Sequence, residues 1–333
     1  MAVGPRYSAV MGTTIFSKIS IGQLLGLGLA VVYCVVIEVW LGWQSVLAPL
    51  TGLPALLLVQ MVALLGLTYI VRALRLYSYF RGELQRRFGL TLAIMLTHNL
   101  FNHLLPARLG EASLPLLLHR HLRVDVLKGA SALFWFRLLD VHALLSFVLL
   151  ALAFAPSNGP LFNAVLVRDE VLNWPVVLLI AAFLSAPLGI FLCMRRFTGW
   201  SGQPRQRWQH LLWRLSRGLP ERSSDFWLSW IWTALTWLIK LSTLAWLLAS
   251  LLSISWSAAI FGVSGGELTA VLPVHAPGGF GTYAGGIVAA LTPLDIDLDA
   301  TLIAAANTHL VLFAAALVSG LGGWLSLQQD SKN

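Results

Sequence analysis

Residues 102–120 read NHLLPARLGEASLPLLLHR, placing groups able to hold a charged ligand in one of the most apolar regions of the chain. Arg108 offers a planar guanidinium fork that suits a phosphate, and Glu111 a carboxylate suited to an amine or a proton. The two stand at i,i+3, so they could instead pair with each other and hold a short helix. Just upstream, His98, Asn99, Asn102 and His103 form a polar stripe that either hydrogen-bonds between helices or lines a cavity. Arg137 and Asp140 lie one helical turn apart, the spacing of an internal salt bridge that could extend to Glu111. Much later, HAPGGFGTYAGG (275–286) brings His275 next to Gly278, Gly279 and Gly281, glycines that permit close approach and unusual dihedrals. The helix start that follows would present free N–H groups to an anionic headgroup, and a tight hairpin packed on its neighbour is the alternative. His309 follows in THLVL.

Other chemistries find less support. No Cys or carboxylate falls at ligand spacing beside the histidines, so no metal site and no cofactor is expected. GVSGG (262–266) fits G-x-S-x-G, but a nucleophile elbow needs a strand before it, and the surroundings supply none. A phosphate-binding P-loop is absent from the sequence. Ionisable side chains inside a membrane are functional candidates by default, so these residues point to binding more than to catalysis. Glu38, His142, Lys240 and Glu267 are further intramembrane ionisables, some of them structural, and Lys240 is too deep to snorkel and should face the bundle.

The elements that must position these groups are membrane helices. The chain has 333 residues, 58% hydrophobic and 11% charged, with a mean hydropathy of +0.79, beyond the balance of a water-soluble domain. Runs of about 20 apolar residues, enough to cross about 30 Å of hydrocarbon, recur near 21–41, 52–74, 127–155, 173–194, 226–252 and 300–327. Two more apolar regions, 88–120 and 256–293, are interrupted by Pro, Gly and polar residues and read as re-entrant hairpins. Broken backbone at membrane depth requires protein or a water-filled cavity around it. The expected fold is therefore all-α: a single polytopic membrane helix bundle over 1–333, with about six full spans plus two re-entrant hairpins.

The formal charge of +8 reports topology rather than nucleic acid binding. Arg72, Arg75, Arg81, Arg86, Arg87, Arg120, Arg123 and Lys128 fall on one side, joined by the seven arginines of 195–225. Loops on the other side are neutral or acidic, as in PLDIDLD (293–299). This positive-inside pattern predicts a multi-pass protein of the cytoplasmic (inner) membrane with both termini cytoplasmic and the first span retained. The loop 195–225 includes an amphipathic stretch, RQRWQHLLWRLSRGL, which suits the cytoplasmic leaflet surface or a cytosolic partner. Cys34 and Cys193 fall at different depths, so no disulfide is expected.

The two broken regions also resemble each other. LLPARLGEA (104–112) and HAPGGFGTYA (275–284) align Pro106 with Pro277 and Gly110 with Gly281, and Arg137 and His309 follow at nearly equal offsets. On the charge topology the two hairpins enter from opposite sides, giving an inverted-repeat arrangement with a site near the midplane.

Taken in order, YIVRALRL (69–76), NHLLPARLGEA (102–112), FRLLD (136–140) and PGGFGTYAG (277–285) resemble the motifs of the lysylphosphatidylglycerol synthase transmembrane region, a group that includes stand-alone flippase-like membrane proteins. The resemblance covers about residues 20–325. It implies translocation of a lipid with a polar or charged headgroup between leaflets. By motif match it points to Arg72, Arg75, Arg108, Gly110, Glu111, Arg137, Asp140, Pro277, Gly278, Gly279 and Gly281. Ending at SLQQDSKN, the chain is expected to be a stand-alone member lacking the aminoacyltransferase domain. GTY stands where many members carry a charged pair, so a role for that pair does not carry over.

The combined expectation is a lipid translocase, not an enzyme. Its headgroup site would comprise Arg72, Arg75, His98, Asn102, Arg108, Glu111, Arg137, Asp140, His275, Gly278, Gly279, Gly281 and His309. Its substrate would be an anionic or zwitterionic phospholipid, an aminoacylated lipid or a polyprenyl-phosphate lipid. Two alternatives stay open: a membrane scaffold for a lipid-modifying enzyme partner, and an intramembrane enzyme acting on a lipid-linked substrate.

Overall fold

The computed structural model describes residues 42–84, 87–153, 174–198, 219–220, 222–271 and 277–330, with isolated positions between 31 and 39. Most of the expected first span, most of the amphipathic stretch in 195–225, and His275 lie outside the described residues. Among the described residues ten α-helices follow in order: α1 Trp43–Thr51, α2 Ala55–Tyr79, α3 Phe88–Leu104, α4 Ser113–Leu122, α5 Val126–Ala153, α6 Trp174–Thr198, α7 Ser223–Leu252, α8 Trp256–Val271, α9 Thr282–Leu291 and α10 Leu298–Asp330. Four of the six expected spans coincide with helices long and apolar enough to cross a membrane: Ala55–Tyr79, Val126–Leu152, Ser223–Leu252 and Leu298–Asp330. A fifth falls on α6, which contains Pro187. Leu56, Val59, Phe134, Leu179 and Val318 are exposed on the outer helix faces, as lipid-facing side chains would be.

Both interrupted regions break where the residues cannot continue a helix. Leu105, held extended (φ −88, ψ 133) by the following Pro106, ends α3, and Pro106–Ala112 winds as a 3-10 segment into α4. Gly110 must lack a side chain, because a Cβ would stand 2.4 Å from the Phe101 carbonyl oxygen and 2.5 Å from Asn102 Cα. In the second hairpin a short 3-10 turn, Pro277–Gly279, precedes α9. Gly278, Gly279 and Gly281 there take φ of 66, 74 and 78, conformations that side-chain-bearing residues rarely adopt. The glycines of GVSGG serve packing: a Cβ on Gly265 would meet the Gly286 carbonyl oxygen at 2.4 Å, so α8 and α9 touch backbone to backbone.

The repeat is visible in the packing. Helix α2 lies on α7, and each of these packs on the first helix of its hairpin, α3 or α8. Helix α3 runs along α10 while α8 runs along α5, and α4 packs on α5 as α9 packs on α10. Exchanging the two halves reproduces these pairings. The correspondence reaches the sequence of the long helices: LTYIVR (67–72) on α2 matches LTWLIK (235–240) on α7. One apolar core centres on each half, one around Leu76, Ile94, Leu114, Trp135 and Phe136, the other around Leu244, Val263, Tyr283, Ile287 and Ala305. The two 3-10 breaks touch each other where the halves meet.

Candidate functional site

Between the halves lies a polar cavity enclosing about 870 Å³ of empty space, counting the part that opens outward. Helices α2 and α3 supply Tyr69, Arg72, Asn99, Asn102 and His103; α7 and α8 supply Trp237, Lys240 and Glu267; the two breaks add Glu111, Gly278 and Gly279. Arg137 comes from α5 and His309 from α10. A smaller chamber adjoins it, lined by Arg72, Arg75, His98, Asn102, Arg137 and Asp140 among others, so that Arg72, Asn99, Asn102 and Arg137 border both.

The carboxylates described here are already engaged. Asp140 is 2% exposed and takes Arg75 at 2.7 Å through Nη1 and 3.5 Å through Nη2, with the Trp237 indole N–H donating at 3.3 Å. Arg75 also donates to Thr233 Oγ1 at 2.7 Å and lies over the Phe136 ring, 4.4 Å from its centroid. Glu111 meets Arg137 Nε at 3.2 Å, and Arg137 Nη1 stands 3.7 Å from Asp140 Oδ2, so the expected bridge from Arg137 and Asp140 to Glu111 is present. Glu267, also 2% exposed, takes the Lys240 ammonium at 2.6 Å and the Tyr283 hydroxyl at 3.2 Å.

Arg72 differs. Its guanidinium lines both chambers but makes no hydrogen bond or ion pair with any described residue, and its buried Nε has no acceptor. Asn99, 5% exposed, has a buried amide Nδ2 that makes no well-formed hydrogen bond, with the Tyr69 hydroxyl as its neighbour. Two donors facing the same space without well-formed hydrogen bonds are costly unless a ligand or water supplies oxygen atoms.

The remaining predicted residues mostly hold the breaks in place. Ser113 Oγ donates to the Gly110 carbonyl at 2.5 Å, so His98 Nδ1 donates to Ser113 at 2.9 Å and His98 Nε2 accepts from Asn102 Nδ2 at 3.0 Å. This chain of bonds ties α3 to the first break. In the second half His309 Nε2 donates to the Gly278 carbonyl at 2.8 Å and stacks on Tyr283, doing for that break what the His98 network does for the first. Arg75 is buried under Asp140 in the smaller chamber, Gly281 starts α9, and Arg108 belongs to the first 3-10 segment by its backbone.

The sequence-predicted set omits Tyr69, Asn99, Trp237, Lys240, Glu267 and Tyr283, all of which line the cavity. Lys240 faces the bundle, as its depth requires. The match of LTYIVR with LTWLIK is the signal that could have placed Trp237 and Lys240 opposite Tyr69 and Arg72.

Residues 23–320 match the family described as the lysylphosphatidylglycerol synthase TM region. No curated protein and no solved structure matches the chain.

Proposed function

The chain belongs to the lysylphosphatidylglycerol synthase transmembrane-region family, and from that membership we propose that it moves a lipid with a charged headgroup between the leaflets of the cytoplasmic membrane. One observation carries the reading: Arg72, a cation that makes no ion pair with a described residue, lines a polar cavity between two broken helices. Holding an unpaired charge there is unfavourable unless an anionic ligand answers it, and a lipid phosphate accepts from a guanidinium fork. Polar lining on both breaks would receive the headgroup while the acyl tails stay in lipid. The two-halves architecture supports alternating exposure, because an apolar core centres on each half and the polar cavity lies where the halves meet. Positive-inside charge supports cytoplasmic termini.

The test is leaflet exchange of headgroup-labelled lipids in proteoliposomes containing the purified protein. Exchange above that of empty liposomes, lost in Arg72→Met, is expected. Exchange equal to empty liposomes across phosphatidylglycerol, aminoacylated lipid and polyprenyl phosphate overturns the reading.

A further inference from the structure

The two halves carry the same two polar positions with one difference. Arg72 on α2 corresponds to Lys240 on α7, and Asn99 on α3 corresponds to Glu267 on α8, each pair 168 positions apart (72 to 240, 99 to 267). In the second half the carboxylate neutralises the cation at 2.6 Å. In the first half the corresponding residue is a neutral amide, and the cation makes no ion pair with a described residue; the carboxylate that acts on it, Asp140, is held by Arg75. Asn in place of Glu at one repeat position thus leaves the first-half cation unpaired where the second half closes an ion pair.

The other described charges of the cavity leave no matching cation site. Glu111 is held by Arg137, Asp140 by Arg75 and Glu267 by Lys240. Resting on the lipid-transport reading, we infer that Asn99 sets the headgroup charge and that the ligand is a lipid phosphate bearing no amine, held by Arg72 and the Asn99 amide. An ammonium group would meet only carboxylates already engaged with their own cations, and like-charge contact with Arg72, Arg137 and Lys240 would disfavour it. The Asn99 amide contributes a donor that a phosphate oxygen accepts, where a carboxylate would repel it.

The experiment is native mass spectrometry of the full-length protein with phosphatidylglycerol, aminoacylated phosphatidylglycerol and soluble glycerol 3-phosphate, alongside leaflet exchange. Wild type should bind phosphatidylglycerol at least about tenfold more tightly than the aminoacylated form, because only the latter brings an ammonium against Arg72, Arg137 and Lys240. Asn99→Glu, which rebuilds the second half's ion pair in the first, should abolish that preference. Adding Glu267→Asn, which frees Lys240, should restore it; a merely damaged fold would not be rescued by a second cavity substitution. Equal binding of the two lipids by wild type, an unchanged preference in Asn99→Glu, or no rescue in the double variant each overturns the inference. Binding of glycerol 3-phosphate without lipid assigns the site to a soluble anion and overturns it too. Exchange without a charge preference sinks this inference alone, whereas a preference without exchange sinks the transport reading and leaves the anion site standing.

Discussion

Asp140→Asn separates the structural charges from the functional one. The asparagine keeps the shape of Asp140 and one acceptor oxygen, but removes the charge facing Arg75. Arg75, 4% exposed, would then keep neutral partners only: the remaining amide oxygen, Thr233 at 2.7 Å and the Phe136 face. Removing one partner of a buried ion pair costs about 3–5 kcal/mol, because the other charge stays buried and uncompensated. Glu111→Gln is the internal comparison. It breaks the pair with Arg137, whose side chains are 30% and 25% exposed, and exposed pairs contribute about 1 kcal/mol or less. A third variant, Arg75→Met with Asp140→Leu, removes both charges and should recover most of the loss, since apolar replacement of a buried pair is often neutral. The assay is equilibrium unfolding in mixed micelles against rising denaturing detergent, followed by the fluorescence of the 14 tryptophans. Asp140→Asn falling by no more than Glu111→Gln, or the double variant falling further than the single, would refute the assignment of Arg75 and Asp140 as a closed structural pair.

Three further outcomes follow from the geometry. Gly110→Ala sets a Cβ against the Phe101 carbonyl and Asn102 Cα, backbone atoms that cannot swing aside, and should lower stability by about 1–3 kcal/mol in the same unfolding assay. Gly278→Ala forces a side chain onto φ 66 and should cost about 1–2 kcal/mol, read as a lower thermal midpoint. Trp237→Phe removes one hydrogen bond to Asp140 and leaves Arg75 in place, so its loss should stay near about 0.5–1.5 kcal/mol, well below that of Asp140→Asn.

Much of the bundle was legible because membrane helices announce themselves by length and apolarity, and because proline and glycine mark the breaks. Pro106 and Pro277 were enough to find both helix breaks, and the i,i+3 spacing of Arg137 and Asp140 was enough to find part of one ion-pair network. The rest depended on which helix faces which. Arg75 and Arg72 are one turn apart on α2 and look equivalent in sequence, yet Arg75 packs against Asp140 and Thr233 while Arg72 points into open space. Lys240 and Glu267, 27 residues apart on different helices, give no local sign that they pair. His98 and His309 look alike in the sequence as candidate headgroup ligands, and in the fold each also braces a break, His98 through Ser113 and Asn102 and His309 through the Gly278 carbonyl.

The proposed transport requires a lipid phosphate in the space beside Arg72. An experimental structure of the protein in nanodiscs of phosphatidylglycerol, refined far enough to see headgroup density in the cavity, tests this most directly. A phosphate is expected within hydrogen-bond reach of both Arg72 and the Asn99 amide, between the two breaks. Headgroup density confined to the outer helix faces, with water alone at Arg72, would contradict it.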